Sequence, residues 1–298
     1  MLARLLRRLL LTQFLLGAAL GYWIGGAVVA LLLGAALPFA VMVFTDIVSA
    51  LRSRADEPAS VWWRALWGEF AAGIQVFILR QPWTRDTPSV LAPIPPTTPA
   101  RIPVLLVHGY LCNHRVWDDA AQALRRQGHT VQAVNLEPVF ASIDRYADVI
   151  EPAVQQLRAA TGHDKVVLVG HSMGGLAIRA WMRAHGTHHA AGALTLGTPH
   201  VGTQIAKGQR TLNGRQMEWH SDWLAALAQS EYDAVRALFH IAISPQDNIV
   251  YPQRAQVLPG ITATVFEGLG HLQLCLDPAV LKWLLARVAE LDAAATTT

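Results

Sequence analysis

The chain is poor in charge, almost free of cysteine and without internal repeats, and each shortage removes a class of protein. Lys and Arg number 24 against 21 Asp and Glu, a formal net charge of +3 over 298 residues. So small an excess, with no basic stripe and interleaved aromatics, excludes nucleic acid as a partner. It allows only a mild attraction to anionic lipid. Two cysteines, Cys112 and Cys275, cannot build a disulfide framework. They are expected as free buried thiols, and a bond between them would argue for an oxidising compartment. The absence of repeats excludes a solenoid. Metal ligands are also wanting. His185, His188 and His189 have helical spacing, but a solvated helix end accounts for them, and no metal or other cofactor is expected.

What the chain holds in excess is apolar residues, 52% of the total. Over residues 9–50 the only charge is Asp46. One membrane span takes about 20 apolar residues, so the run suffices for two. Gly25-Gly26 is the expected turn between spans at 9–24 and 27–48. Small residues recur every fourth position, Gly17, Gly21 and Gly25 before the turn and Gly26, Ala30 and Gly34 after it. That spacing lets helices pack closely in lipid. Pro38 would kink the second span, which a membrane tolerates. Arg4, Arg7 and Arg8 ahead of the run resemble the start of a signal peptide. The apolar stretch is too long for one, and no small-residue cleavage site leads into polar sequence. Residues 1–54 are therefore read as a transmembrane anchor in the form of a two-helix hairpin. Without a polar site embedded in the spans, they do not read as a transporter.

Residues 55–81 read as an amphipathic interfacial helix. Trp63, Trp67, Phe70, Ile74 and Phe77 fall at helical spacing, and tryptophan favours the membrane–water interface. Packing onto the following domain is the alternative. Residues 82–102 are a Pro-rich connector, expected to be extended. The remaining 103–298 suffice for one buried core. Strands are predicted at 104–107, 131–134, 166–169, 193–196, 240–243 and 264–266, with helices at 116–126, 143–160, 176–185 and 279–291. This alternation gives an α/β class, a mostly parallel sheet with helices on both faces. A cap or lid insertion is placed at about 203–238. Its Met217, Trp219, Trp223, Leu224 and Leu227 suit either a lid that meets lipid or a cap buried on the domain. The Ala/Thr-rich end after Leu291 is expected to fray.

Val166-Val-Leu-Val-Gly-His-Ser172-Met-Gly-Gly is the most informative stretch. Four apolar residues read as a strand covered on both faces, running into G-x-S-x-G from Gly170 to Gly174. That pattern is the form of a nucleophile elbow, a strained strand-to-helix turn that lifts a serine hydroxyl above the sheet. A serine needs a base, and the base needs an orienting group. In the chain order serine, acid, histidine, Asp247 follows one predicted strand and His271 another. Asp222, Glu231, Asp233 and Asp277 are weaker candidates, lying in the insertion or beyond the histidine. The oxyanion donors are expected from the backbone N–H of Met173, after the nucleophile, and of Tyr110, with Leu111 as the alternative. His108 precedes the serine and is read as a brace for its loop.

His108-Gly109, Gly170-His-Ser-Met-Gly-Gly175, Leu196-Gly-Thr-Pro-His200 with Gly202-Thr, Asp247 and Gly270-His271 together resemble bacterial lipases and esterases of the α/β-hydrolase superfamily. The likeness runs over about 103–285. It implies the α/β-hydrolase fold and cleavage of carboxylic esters, lipid acyl esters among them, through an acyl-enzyme on Ser172. A triacylglycerol lipase-like activity and lipid metabolism are thereby implied, with membrane lipid as the partner and protein partners unassigned. Acyl transfer at the same triad, and a catalytically inactive membrane scaffold, are the alternatives. The location implied is the bacterial inner membrane. Positive charge at both ends of the hairpin (Arg4, Arg7, Arg8; Arg52, Arg54, Arg64) favours a cytoplasmic catalytic domain, and a single tilted span would make it periplasmic.

Overall fold

A computed structural model describes residues 1–54, 58–84, 88–95 and 101–296. Parts of the interfacial-helix and connector expectations, at 55–57, 85–87 and 96–100, lie outside the described residues, as do 297–298.

The chain begins with α1 (Leu2–Ser53), whose Leu- and Ala-rich composition favours helix. It breaks only at Gly25 (φ −153°, ψ 22°) and Gly26 (φ 77°, ψ −162°). The left-handed φ of Gly26 is open to glycine at little cost. The two legs fold back on each other. A Cβ on Gly21 would stand 2.4 Å from the Val29 carbonyl, so the bare glycine lets the backbones touch. By length and composition this element is able to cross a membrane.

Helix α2 (Ala59–Gly73) runs into a π-helical stretch, Ile74–Arg80, and a short 3-10 turn, Gln81–Trp83. The stripe it turns inward is Trp62, Ala65, Glu69, Ala72 and Val76. Trp63 and Trp67 remain 57% and 63% exposed, while Phe70, Ile74 and Phe77 are half-buried. The inward stripe is thus offset by about one residue, roughly 100° of helix rotation, from the aromatic series that marks the helix in the sequence.

Beyond the connector lie β1 (Arg101–Val107), α3 (Asp118–Arg126), β2 (His129–Ala133), α4 (Ala147–Thr161), β3 (Val166–His171), α5 (Met173–His185) and β4 (Ala190–Leu196). The insertion then carries α6 (Leu212–Gln216), α7 (Asp222–Gln229) and α8 (Asp233–Arg236), before β5 (Phe239–Ile243), β6 (Thr264–Val265) and α9 (Pro278–Thr296). The six strands form one parallel sheet in the order β2-β1-β3-β4-β5-β6. Side chains alternate between its faces. Leu105, Val107 and Leu168 pack against α4 and α5, and Val104, Leu106, Val167 and Val169 pack against α3 and α9. The α/β-hydrolase architecture expected from the sequence is present.

Three details differ from expectation or sharpen it. The sheet begins at Arg101, inside the range assigned to the connector, and Leu91 pairs antiparallel with Val131 along the β2 edge. An edge strand's free N–H and C=O groups attract such pairing. Helix α9 continues to Thr296 instead of fraying after Leu291. Alanine is the strongest helix former, and the Asp292 carboxylate accepts the Ile102 N–H at 2.8 Å, docking that turn to β1. In the insertion Met217, Leu224 and Leu227 are buried, while Trp219 and Trp223 are half-buried. The Asn213 amide donates to the Val139 carbonyl at 2.9 Å, and the Gln216 side-chain Oε1 accepts the Ile143 N–H at 2.7 Å.

Candidate active site

The site lies at the carboxyl ends of the strands, around the point between β1 and β3 where the strand order reverses. Ser172 joins β3 to α5 with φ 54° and ψ −127°, a positive-φ conformation that costs a residue with a side chain about 1–3 kcal/mol. Its N–H donates to the Leu196 carbonyl at 2.9 Å, and its own carbonyl accepts the Gly175 N–H at 3.1 Å. The turn closes so tightly that a Cβ on Gly174 would come within 2.2 Å of the Val107 carbonyl oxygen. The free N–H groups of α5 begin at Met173, beside the serine.

Asp247, after β5, and His271, after β6, meet directly: the imidazole Nδ1 donates to Asp247 Oδ2 at 2.7 Å. The other carboxylate oxygen of Asp247 accepts the N–H groups of Ile249 and Val250 at 2.9 and 2.7 Å. With the Nδ1 proton given to the acid, Nε2 of His271 is left as the basic nitrogen. Among the described residues no hydrogen bond joins the Ser172 hydroxyl to this pair, and the link between them runs through its neighbour. His171 Nε2 donates to the His271 carbonyl at 3.1 Å, and the two rings lie 4.6 Å apart. Gly197, in the Leu-Gly-Thr-Pro-His segment after β4, closes the opposite side. A Cβ there would stand 3.0 Å from Asp247 Oδ2 and 3.2 Å from His271 Nδ1.

The loop after β1 presses on the serine: a Cβ on Gly109 would lie 2.8 Å from the Ser172 Cβ. Tyr110 and Leu111 follow, Leu111 at φ 55°. His108 is a brace here. Its Nε2 accepts the Leu136 N–H at 2.9 Å, so Nδ1 donates to the Gly109 carbonyl at 2.8 Å. Burial pushes its imidazolium down to about 4, and the ring is neutral at working pH.

Several residues that sequence reasoning did not single out border the site. Asn248 Oδ1 accepts the His271 N–H at 3.2 Å while its amide donates to Ser49 Oγ in α1 at 2.9 Å. Gln253 donates to the Asp247 carbonyl at 2.8 Å and to the Ser53 carbonyl at 2.9 Å. Glu69 of α2 accepts the N–H groups of Leu272 and Gln273 at 2.9 and 3.1 Å. One signal for Glu69 exists in the sequence: it is the sole acid in the apolar stretch between Arg64 and Arg80, and acids in such settings are rarely buried unless paired.

Burial would depress the His271 imidazolium, but the charge and hydrogen bond of Asp247, and then the charge of Glu69, raise its pKa above the ordinary 6.5. Burial pushes Glu69 up to about 7, against the pull of His271 and the two N–H groups. Cys112 and Cys275 are free and buried, and burial raises the Cys112 thiol to about 12. Among the described residues no group of three His, Cys, Asp or Glu side chains is arranged to hold a metal ion. The arrangement offers a raised serine, a base oriented by a fixed carboxylate, and N–H donors at a helix start, a set suited to acyl transfer.

Comparisons with known proteins bear on the fold. A sequence-family profile described as alpha/beta hydrolase fold matches residues 102–236. Triacylglycerol lipases of Pseudarthrobacter phenanthrenivorans and Burkholderia plantarii are each 36% identical over 115 residues, 36% of this chain and 35% and 32% of theirs. The chain thus spans about a third of the length of the curated relatives it matches. The crystal structure of Bacillus licheniformis lipase BlEst2 in mature form superposes with a TM-score of 0.54 at 18% identity, over 64% of this chain and 94% of that one. Aspergillus fumigatus lipase B gives a TM-score of 0.55 at 12% identity, over 85% and 81%. At these identities the structures speak for the fold, and the sequence matches support an α/β hydrolase of lipase/esterase type.

Proposed function

From an α/β-hydrolase fold whose matches are lipases, we propose that this chain is a membrane-anchored serine hydrolase that cleaves carboxylic esters, lipid acyl esters foremost. The 2.7 Å bond between His271 and Asp247, beside a serine at positive φ, carries the reading. His271 Nε2 takes the Ser172 proton as the hydroxyl attacks the ester carbonyl, and Asp247 fixes the ring. The N–H groups of Met173 and Tyr110 hold the oxyanion. The alcohol leaves with the proton from His271, water attacks the acyl-enzyme by the same base, and the acid is released.

The lipid preference is supported by where α1 meets the domain. Leu2 and Leu6 pack with Val139, and Ser49 and Ser53 bond to Asn248 and Gln253. All these contacts lie at the carboxyl edge of the sheet, the edge that bears the candidate triad. Exposed Trp63 and Trp67 suit the interface beside it. Arginines at both ends of the hairpin favour a cytoplasmic domain on the bacterial inner membrane.

The test is hydrolysis of p-nitrophenyl esters of graded acyl length by detergent-solubilised protein, with the released acid quantified. Hydrolysis with a long-chain optimum is expected. A wild type that is folded yet refuses both these esters and lipid esters would sink the proposal, and acyl groups recovered on an alcohol would identify transfer instead. The pH profile follows from His271, which must be neutral to act as base. Because its pKa is raised, kcat/KM is expected to fall as pH drops through a midpoint above the unperturbed imidazole value. An acid limb well below pH 6.5 would contradict that assignment.

A further inference from the structure

Helix α2 stands outside the sheet-and-helix domain, yet it grips the loop that carries His271. The Glu69 side chain is buried, and its two oxygens accept the N–H groups of Leu272 and Gln273, more than 200 residues further along the chain. These open the 3-10 turn Leu272–Cys275, whose first N–H groups have no partner of their own. On the other side of His271, a Cβ on Gly270 would lie 2.5 Å from Glu69 Oε2. The carboxylate therefore bears on both flanks of the histidine. The same helix lays Gly68 against the Gln273 side chain, and Arg64 over Gly268 so closely that a Cβ there would stand 2.1 Å from the guanidinium.

Burying a carboxylate is expensive, and an apolar side chain would hold helix to loop at less cost. A carboxylate supplies two things an apolar group does not, a pair of strong N–H acceptors and a negative charge. The charged groups facing His271 are Asp247 from the acid loop and Glu69 from α2, while Asp46 of α1 faces Glu69. His171, from β3, also faces it, and burial keeps that ring neutral. We propose that Glu69 is a positioning residue for His271, so that the base of the hydrolase site is held from the membrane-proximal helix. The proposal rests on the Ser172–Asp247–His271 reading. With Asn248 tied to both Ser49 and the His271 N–H, the N-terminal segment is then part of the working site and not a tether.

The test is Glu69→Gln in the full chain, with rates counted per serine that reacts with a fluorophosphonate so that unfolded protein does not enter. Glutamine keeps one acceptor and loses the charge. We expect kcat to fall about tenfold or more with KM within about twofold, as a misplaced group predicts. The acid limb of kcat/KM should move to lower pH, by less than the loss of a full charge would give, because Glu69, pushed up to about 7, is only partly ionised over that limb. An unchanged kcat, or a lowered melting temperature with the acid limb in place, would overturn the proposal and leave Glu69 a packing residue. Should the glutamine variant fail to accumulate, Glu69→Asp decides. It keeps the charge but draws it back by one methylene, so kcat should drop at the wild-type acid limb, and wild-type kcat would overturn the idea. Full activity in Ser172→Ala would sink the underlying reading instead; an inert Ser172→Ala beside an unaltered Glu69→Gln sinks this inference alone.

Discussion

Ser172→Ala is expected to lower kcat for ester hydrolysis by about 10^4- to 10^6-fold, with the melting temperature close to that of the wild type. The substitution deletes one oxygen and leaves the turn. Alanine has the same Cβ as serine, meets the same crowding at φ 54°, and leaves both backbone bonds of residue 172 in place. What remains is binding and the N–H groups at the start of α5, which alone sustain a small residual rate. The assay is kcat on a p-nitrophenyl ester together with labelling by a fluorophosphonate. A variant that keeps more than about a hundredth of the rate, far above that residual level, would remove Ser172 from the nucleophile's role.

The second large effect concerns the cap. Arg179 of α5 donates through Nε and Nη2 to the two oxygens of Glu231 at 2.7 Å each, and through Nη1 to the His200 carbonyl at 2.8 Å. Both side chains are buried, at 0% and 5% exposure, so this pair joins the elbow helix to the insertion out of reach of water. Glu231→Gln leaves the guanidinium buried without its counter-charge, which costs about 3–5 kcal/mol. In a domain of this size that lowers the melting temperature by roughly 10 °C. Replacing the pair together, as Arg179→Met with Glu231→Leu, should recover most of the loss, since two apolar side chains leave no orphan charge. Thermal unfolding in detergent reads both. A single variant as stable as the wild type would mean that water reaches the pair.

The contrast between these two sites explains what could be read from the sequence. Ser172 and Asp247 follow the apolar strands β3 and β5, and His271 follows the short, partly exposed pair Thr264–Val265, so in a parallel sheet the loops that carry them share one edge. The strands themselves were legible because 166–169 and 104–107 are continuous apolar runs, which a sheet covered on both faces requires. Glu69 was not legible as a neighbour of His271, because nothing local ties a helix at 59–73 to a loop more than 200 residues away. The aromatic series of α2 pointed to a face, but the inward stripe is set by how closely the helix approaches Gln273. There Gly68, with no side chain, lets the Gln273 side chain lie against the helix. The insertion was ambiguous for a related reason: Leu224 and Leu227 look alike on a lid or a cap, and the buried Arg179–Glu231 pair that joins it to α5 pairs residues 52 apart.

The hairpin has one further consequence. The legs, 2–24 and 27–53, hold 23 and 27 residues, roughly 35 and 40 Å of helix, against a hydrocarbon core of about 30 Å. Both of its ends are bonded to the domain, Leu2 and Leu6 on one rim and Ser49 and Ser53 on the other. On the proposed reading, in which the hairpin sits in a bilayer, such a mount leaves no slack, and the domain would ride at a fixed height, unable to lift off and sample bulk water. The concentration that governs turnover is then a two-dimensional one, the mole fraction of ester within the surface. Adding inert lipid at constant total ester would slow the enzyme by dilution in the plane, though nothing in solution had changed.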